Sequence, residues 1–385
     1  MMKTIVTTVA ILLTTLSAFA CEHNARNGKT YLIAQSNEKP ESRFIKVALL
    51  LDTSNSMDGL INQAKAQLWD IVNELSYAKC EHETPNLEIA LYEYGNDNLS
   101  SQEGYIRQVI GFTSDLDDIS EKLFSLTTNG GNEFCGQVIQ SSLNQLEWGK
   151  NPDDLKLVFI AGNEPFTQGK VHYKDAATNA KEKDVIVNTI FCGNYEQGIN
   201  GMWKEGALLT NGDYMAINHN EKIVQIVTPY DKVILELNVR LNKTYIPYGR
   251  SGQSKISLQA EQDAKAASVN DEIKLKRAVS KSSRFYKNAS WDLVDAASDK
   301  NFKYENLKKE ELPKELQGKS KAQIKAYVAK KNVERSAIQK QIQELNTKRK
   351  QYIVKENKNA KKNDLESAMI QSIKRQAEKK NYKWE

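Results

Sequence analysis

The sequence predicts an α/β protein with a doubly wound, mostly parallel sheet, followed by an all-α, partly coiled-coil tail. Three observations carry that expectation. Strand-like runs alternate with helical ones from Phe44 to about Asn242, and such alternation is the pattern of a parallel sheet covered by helices on both faces. The first of these runs, Phe44–Asp52, is almost continuously apolar, as a strand buried on both faces should be. Beyond Gly249 the strand signals stop and long helical segments begin.

Charge follows the same division. Residues 21–250 carry 31 acidic and 21 basic side chains, whereas residues 251–385 carry 18 and 32. An acidic front and a basic back therefore hide behind a net charge of +5. With 385 residues, 40% of them hydrophobic, the chain is long enough for one sizeable core and a smaller second unit, and it is not a disordered chain.

The N-terminus reads MMKTIVTTVAILLTTLSAFAC. One lysine, a short apolar segment and Ala18-Phe19-Ala20 before Cys21 form the pattern of an export signal over residues 1–20, with an extension over 21–40. A lipid-attachment cysteine is the competing reading of Cys21, though Ala18 and Phe19 fit that pattern poorly. The expected location is extracytoplasmic, periplasmic or secreted, with a membrane tether only if Cys21 is acylated.

After Phe44–Asp52, apolar residues at helical spacing predict a helix over Met57–Tyr77. Strands follow at Leu87–Tyr94 and Tyr105–Ile110, helices around Leu116–Leu126 and Cys135–Leu146, and a strand at Leu155–Ala161. A helix near Lys174–Lys183, a strand at Val185–Phe191, a helix near Glu196–Leu209, a short strand at Tyr214–Ile217 and a helix at Tyr230–Leu241 complete the set. In such sheets ligands collect at the carboxyl ends of the strands, which is where Asp52, Ser54 and Ser56 fall. One carboxylate and two hydroxyls in a tight turn suit a hard divalent cation. The same spacing also suits a helix cap by Ser54 or Ser56, with Asp52 accepting loop amides.

The stretch "LLLDTSNSM" resembles the Asp-x-Ser-x-Ser element of the von Willebrand factor A (VWA) domain, a Rossmann-like fold, and the order of elements over residues 41–248 is similar too. The resemblance implies a metal-ion-dependent adhesion site (MIDAS), with Ser54 and Ser56 ligating the cation and Asp52 acting largely through water. It implies Mg²⁺ ahead of Mn²⁺ or Ca²⁺, and a protein partner engaged through an acidic residue.

Two departures from the family are visible. The loop "TTNGGNEFCGQVI" lacks the usual threonine, so Glu133 is the replacement candidate, with Thr128 behind it. Glu133 also reads as an acid placed at the positive end of the next helix. The family's Thr-Asp-Gly position reads "VFIAGNEPF", with Gly162 where the aspartate belongs. Either Asn163 or Glu164 takes over, or the site is weaker or without metal.

On that topology Cys135 and Cys192 fall at the metal-bearing edge, and the expected disulfides are Cys135–Cys192 and Cys21–Cys80. The four cysteines and four histidines show no Cys-x-x-Cys or His-Glu-x-x-His spacing, which argues against a zinc site.

The back half, residues 249–385, carries an aromatic cluster, Phe285, Tyr286 and Trp291, read as packing anchors. Past Pro313 the spacing of Ile338, Ile342, Leu345, Arg349 and Tyr352 is a short coiled-coil seam, expected as a hairpin or stalk able to self-associate. Its lysines alternate with glutamate and glutamine, which favours a solvated face over nucleic-acid binding; folding of this basic half onto the acidic front is a further reading.

No nucleophile elbow or phosphate loop appears. The functional expectation is an exported, non-enzymatic, adhesion-type protein-binding module. The runner-up is a metal-independent structural scaffold of the cell envelope.

Overall fold

The computed structural model describes residues 42–80, 84–217, 226–356 and 365–384. The export segment, Cys21 and the extension to residue 40 lie outside the described residues.

Among the described residues eight strands are present: β1 Phe44–Asp52, β2 Ala78–Cys80, β3 Asn86–Tyr94, β4 Ile106–Thr113, β5 Leu155–Gly162, β6 Ile186–Cys192, β7 Tyr214–Ile217 and β8 Tyr382–Trp384. The front helices are α1 Asp58–Leu75, α2 Leu116–Phe124, α3 Cys135–Gln145, α4 Tyr173–Glu182, α5 Tyr195–Asn200, α6 Trp203–Leu208 and α7 Asp231–Asn242. The back helices are α8 Gly252–Val269, α9 Asp271–Lys281, α10 Leu293–Ala296, α11 Lys314–Gln317, α12 Lys321–Glu356 and α13 Leu365–Glu378.

Six strands form one sheet in the order β4-β3-β1-β5-β6-β7, parallel except for the antiparallel edge strand β4. β1 sits in the middle, and alternation sends its side chains both ways. Ile45, Val47, Leu49 and Leu51 enter one core layer with α1 residues such as Leu68 and Trp69, while Ala48 and Leu50 enter the other with α3 residues Val138 and Ile139. Both faces are covered, which is why this strand has no polar phase. The chain runs outward on one side through β3 and β4 and on the other through β5, β6 and β7, so the strand order reverses between β1 and β5.

Residues on both sides of Gly249 share one core. Ile273, Val279, Phe285, Tyr286, Trp291, Ile338, Ile342, Met369 and Ile373 all pack into the layer that contains α1 and the odd-numbered residues of β1. The Ile338/Ile342 stripe of α12 is thus spent within the chain, on α7, α9 and α10, rather than along a projecting stalk. The C-terminus returns further still: β8 pairs antiparallel with β2, and Gln376 on α13 bonds Asn188 of β6 in both directions.

The expected Cys135–Cys192 disulfide is absent: the two residues are separate buried thiols. The reason is the strand period of two. Cys192 shares the phase of Ile190 and faces the α1 layer, whereas Cys135 heads α3 in the opposite layer, so the sheet lies between them. The Cys80 thiol receives a hydrogen bond from Arg43; its expected partner, Cys21, lies outside the described residues. The helix expected over Glu196–Leu209 is two short ones. Met202 between them takes a left-handed φ of 68°, and the Gly201 carbonyl turns aside to accept from Phe166 N–H.

Candidate metal centre

The site lies at the carboxyl edge of the sheet, where β1, β3 and β5 end together. Asp52 closes β1 and is fully buried. Its Oδ1 accepts the Ser54 N–H at 2.7 Å, which bends the chain so that the Ser54 and Ser56 hydroxyls lie 3.2 Å apart. Neither serine caps the following helix: Met57 is the N-cap of α1 and offers no side-chain bond. The capping alternative fails, whereas acceptance of a loop amide by Asp52 holds alongside the cluster.

Glu133 comes from the glycine loop before α3. It is 4% exposed, so it is not a solvated helix-start acid. Burial, then the Asp52 carboxylate beside it, pushes the Glu133 carboxyl up to about 9, and burial pushes Asp52 up to about 6. Asp52 Oδ2, Glu133 Oε2 and the Asn163 Oδ1 are all buried without a hydrogen-bond partner. Orphaned buried carboxylate oxygens are costly. Two of them beside each other would attract a cation.

Glycines make the approach physically open. Gly95, at φ +78°, follows β3, and a Cβ there would lie 2.7 Å from Glu133 Cγ and 2.9 Å from Asp52 Oδ1. A Cβ on Gly131 would lie 2.5 Å from the Gly95 carbonyl oxygen. The glycine loop is pinned by Asn129 N–H to the Thr53 carbonyl at 3.0 Å and by Asn96 Nδ2 to the Thr127 carbonyl at 2.9 Å.

Gly162, at the end of β5, has a structural cause. A Cβ there would come within 2.5 Å of the Tyr94 hydroxyl, 3.1 Å of the Trp203 ring and 3.2 Å of Asp52 Oδ2. Tyr94 is fixed, buried and donating to the Ala161 carbonyl at 2.9 Å. The volume an acid would need is filled by an aromatic pair. Asn163 is drawn in instead, donating from Nδ2 to Ser56 Oγ at 3.0 Å.

Asp52, Ser54, Ser56, Glu133 and Asn163 are therefore brought together. Glu164 is exposed, and its carboxylate accepts from Gln168 at 3.1 Å; it acts on the buried pair only as a nearby negative charge. Thr128 is half-buried in the same loop. Sequence reasoning did not single out Tyr94, Gly95 or Trp203. The glycine directly after a buried strand, in "YEYGND", was the one available signal. Among the described residues no group of three or more His, Cys, Asp or Glu side chains gathers around one point. The donor set is instead two carboxylates, two hydroxyls and an amide oxygen, all hard oxygens, which fits Mg²⁺, Mn²⁺ or Ca²⁺.

Residues 46–210 match the family described as the von Willebrand factor type A domain. No curated protein matches the chain. Among solved structures, the conserved hypothetical protein BatB from Bacteroides thetaiotaomicron is 16% identical, over 45% of this chain and 90% of that one, with a TM-score of 0.35. The SpRpn10 VWA domain is 13% identical over 47% and 99%, at 0.34. Proximal thread matrix protein 1 from the mussel byssus, with a zinc-occupied MIDAS motif, is 12% identical over 47% and 43%, at 0.33.

Proposed function

Residues 46–210 being a von Willebrand factor type A domain, we propose that this protein is an exported, non-enzymatic binding module that holds a divalent cation, Mg²⁺ first, and uses it to engage an acidic residue of a protein partner. The observation that carries this reading is the pair of buried carboxylates, Asp52 and Glu133, whose free oxygens meet no cation of the chain's own. Export rests on the Met1–Ala20 pattern and the small residues before Cys21. No described helix is long and apolar enough to cross a membrane.

In this reading Ser54, Ser56 and Glu133 ligate directly, Asp52 acts from behind them, and Asn163 replaces the missing aspartate through its amide oxygen. When bound, the cation supplies a Lewis-acidic position that an outside carboxylate can occupy. The chain does the rest. The Ser54 N–H fixes the Asp52 rotamer, Asn163 Nδ2 orients the Ser56 hydroxyl, and the glycines at 95 and 131 let Glu133 approach. Burial lowers the local dielectric and strengthens each of these attractions.

The test is capture of envelope proteins on the immobilised chain lacking residues 1–20, in Mg²⁺ and in chelator. A partner retained in Mg²⁺, and lost both in chelator and with the folded Ser54→Ala/Ser56→Ala variant, is the expected result. Retention indifferent to chelator and to the variant would overturn it in favour of a metal-independent scaffold.

A further inference from the structure

A second site lies far along the chain, in a small satellite core of the back half. There Leu312, Leu316, Ile324 and Val328 are buried together with Leu293 and Val294, and Tyr304 and Leu307 pack against them. Between this core and the start of α12 is a cavity of about 190 Å³. At roughly 30 Å³ per water it has room for about six waters, or for one small organic molecule. Its floor is apolar, from Leu307, Leu312 and Ile324, with Tyr304 at one side. Its other lining residues include Lys309, Lys319 and Lys321.

Those three lysines share the lack of an ion pair with other exposed lysines of the back half, such as Lys325 and Lys330, and are set apart by lining one cavity together. Arg277, Lys281, Arg335 and Arg349 are buried against carboxylates, and even the neighbouring Lys308 is paired, with Glu311 at 3.5 Å. Lys309, Lys319 and Lys321 have no ion pair among the described residues. Lys309 and Lys321 are exposed and Lys319 is half-buried, so water solvates each of them, while three lysines bordering one concavity give it a positive potential that favours an anion. Solvated lysines on a convex face focus no such potential, but these border a concavity with an oily base.

We propose that this cavity binds a phosphate monoester carrying a small apolar group, with the phosphate among Lys309, Lys319 and Lys321 and the apolar group on Leu307, Leu312 and Ile324. A dianion matches a rim of three lysines better than a carboxylate does, and the floor distinguishes an organic monoester from inorganic phosphate. The same chemistry occurs in a soluble ester and in the headgroup of an anionic lipid. The site is independent of the Asp52–Glu133 centre and needs no metal.

The experiment titrates phenyl phosphate and inorganic phosphate into the chain lacking residues 1–20 by calorimetry, and compares the Lys319→Gln/Lys321→Gln variant. Phenyl phosphate should bind at least about tenfold more tightly than inorganic phosphate, because the ring buries apolar surface. The variant should lose at least about tenfold, the worth of a charged hydrogen bond, while its unfolding midpoint and Mg²⁺ affinity stay unchanged. Leu312→Asn, if folded, should erase the preference for the ester. Phosphatidic-acid vesicles that bind the protein and are displaced by phenyl phosphate identify a lipid headgroup as the source; vesicles that do not bind, with the ester still bound, identify a soluble one. Equal affinity for both phosphates, equal affinity in the lysine variant, or vesicle binding that phenyl phosphate does not compete overturns the proposal.

Discussion

The protein handles buried charge in two opposite ways. Among the described residues of the back half, every strongly buried guanidinium is matched. Arg277 lies 2.8 Å from Asp117 and 2.6 Å from Asp263, Arg335 reaches Asp295 at 2.6 Å as well as Asp292, and Arg349 meets Asp231 at 3.1 Å as well as Glu272. At the carboxyl edge of the sheet, Asp52 and Glu133 are just as buried and face each other with no cation. The same chain supplies a partner in one place and withholds it in the other. Arg277–Asp117 and Arg349–Asp231 tie the two halves together; under the proposed function, the unmatched pair is where a cation from outside would bind.

The matched side should give the largest response to mutation. Arg277→Met leaves Asp117 and Asp263 buried without their guanidinium and should cost about 3–5 kcal/mol in urea unfolding. Burial would raise the Asp263 carboxyl, but Lys281 and Arg277 hold it well below its usual range. Its contribution is present above the unfolded value and is lost as pH falls below about 4, so acid should loosen the back half first, visible as early hydrogen exchange in α8 and α9.

On the unmatched side the sign reverses. Both Asp52 and Glu133 are raised in the folded state, so in the cation-free protein this pair's contribution is fully present below about 4 and is lost as pH rises through about 6 and then about 9. Glu133→Gln should stabilise the cation-free protein by about 1–3 kcal/mol at alkaline pH, and saturating Mg²⁺ should flatten the wild-type profile. A wild-type midpoint that rises through this range without metal would contradict the unmatched pair.

Gly162→Asp sharpens the same point. It restores the family's acid, yet should cost about 1–3 kcal/mol by overpacking against Tyr94 and Trp203, with no gain in Mg²⁺ affinity. The smallest effect is expected for Asn163→Ala, a loss of about fivefold in Mg²⁺ affinity, or about 1 kcal/mol for one hydrogen-bonding group.

Much of the front was legible because it is local. An unbroken apolar strand announces a sheet covered on both faces, and Asp52, Ser54 and Ser56 follow it within four residues. Glu133 could be found from its place after two glycines. The reason for Gly162 could not, since Tyr94 and Trp203 come from segments far apart in sequence. The back half was harder for the same reason. Its interleaved Lys, Arg and Glu read as a solvated face, but Arg277 finds Asp117, 160 residues earlier, and no periodicity within a helix reveals a partner of that kind. The Cys135–Cys192 pairing failed on a detail that strand alternation does encode, the opposite facing of Phe191 and Cys192.

The central claim is most directly tested by calorimetric titration of Mg²⁺ into metal-stripped protein, alongside Glu133→Gln and Ser54→Ala/Ser56→Ala. The account expects saturable one-to-one binding that releases protons near neutral pH, weakens at least about tenfold in Glu133→Gln and vanishes in the serine variant. Absent binding, or binding of equal strength and proton release in all three proteins, would show that the buried pair is not a cation site.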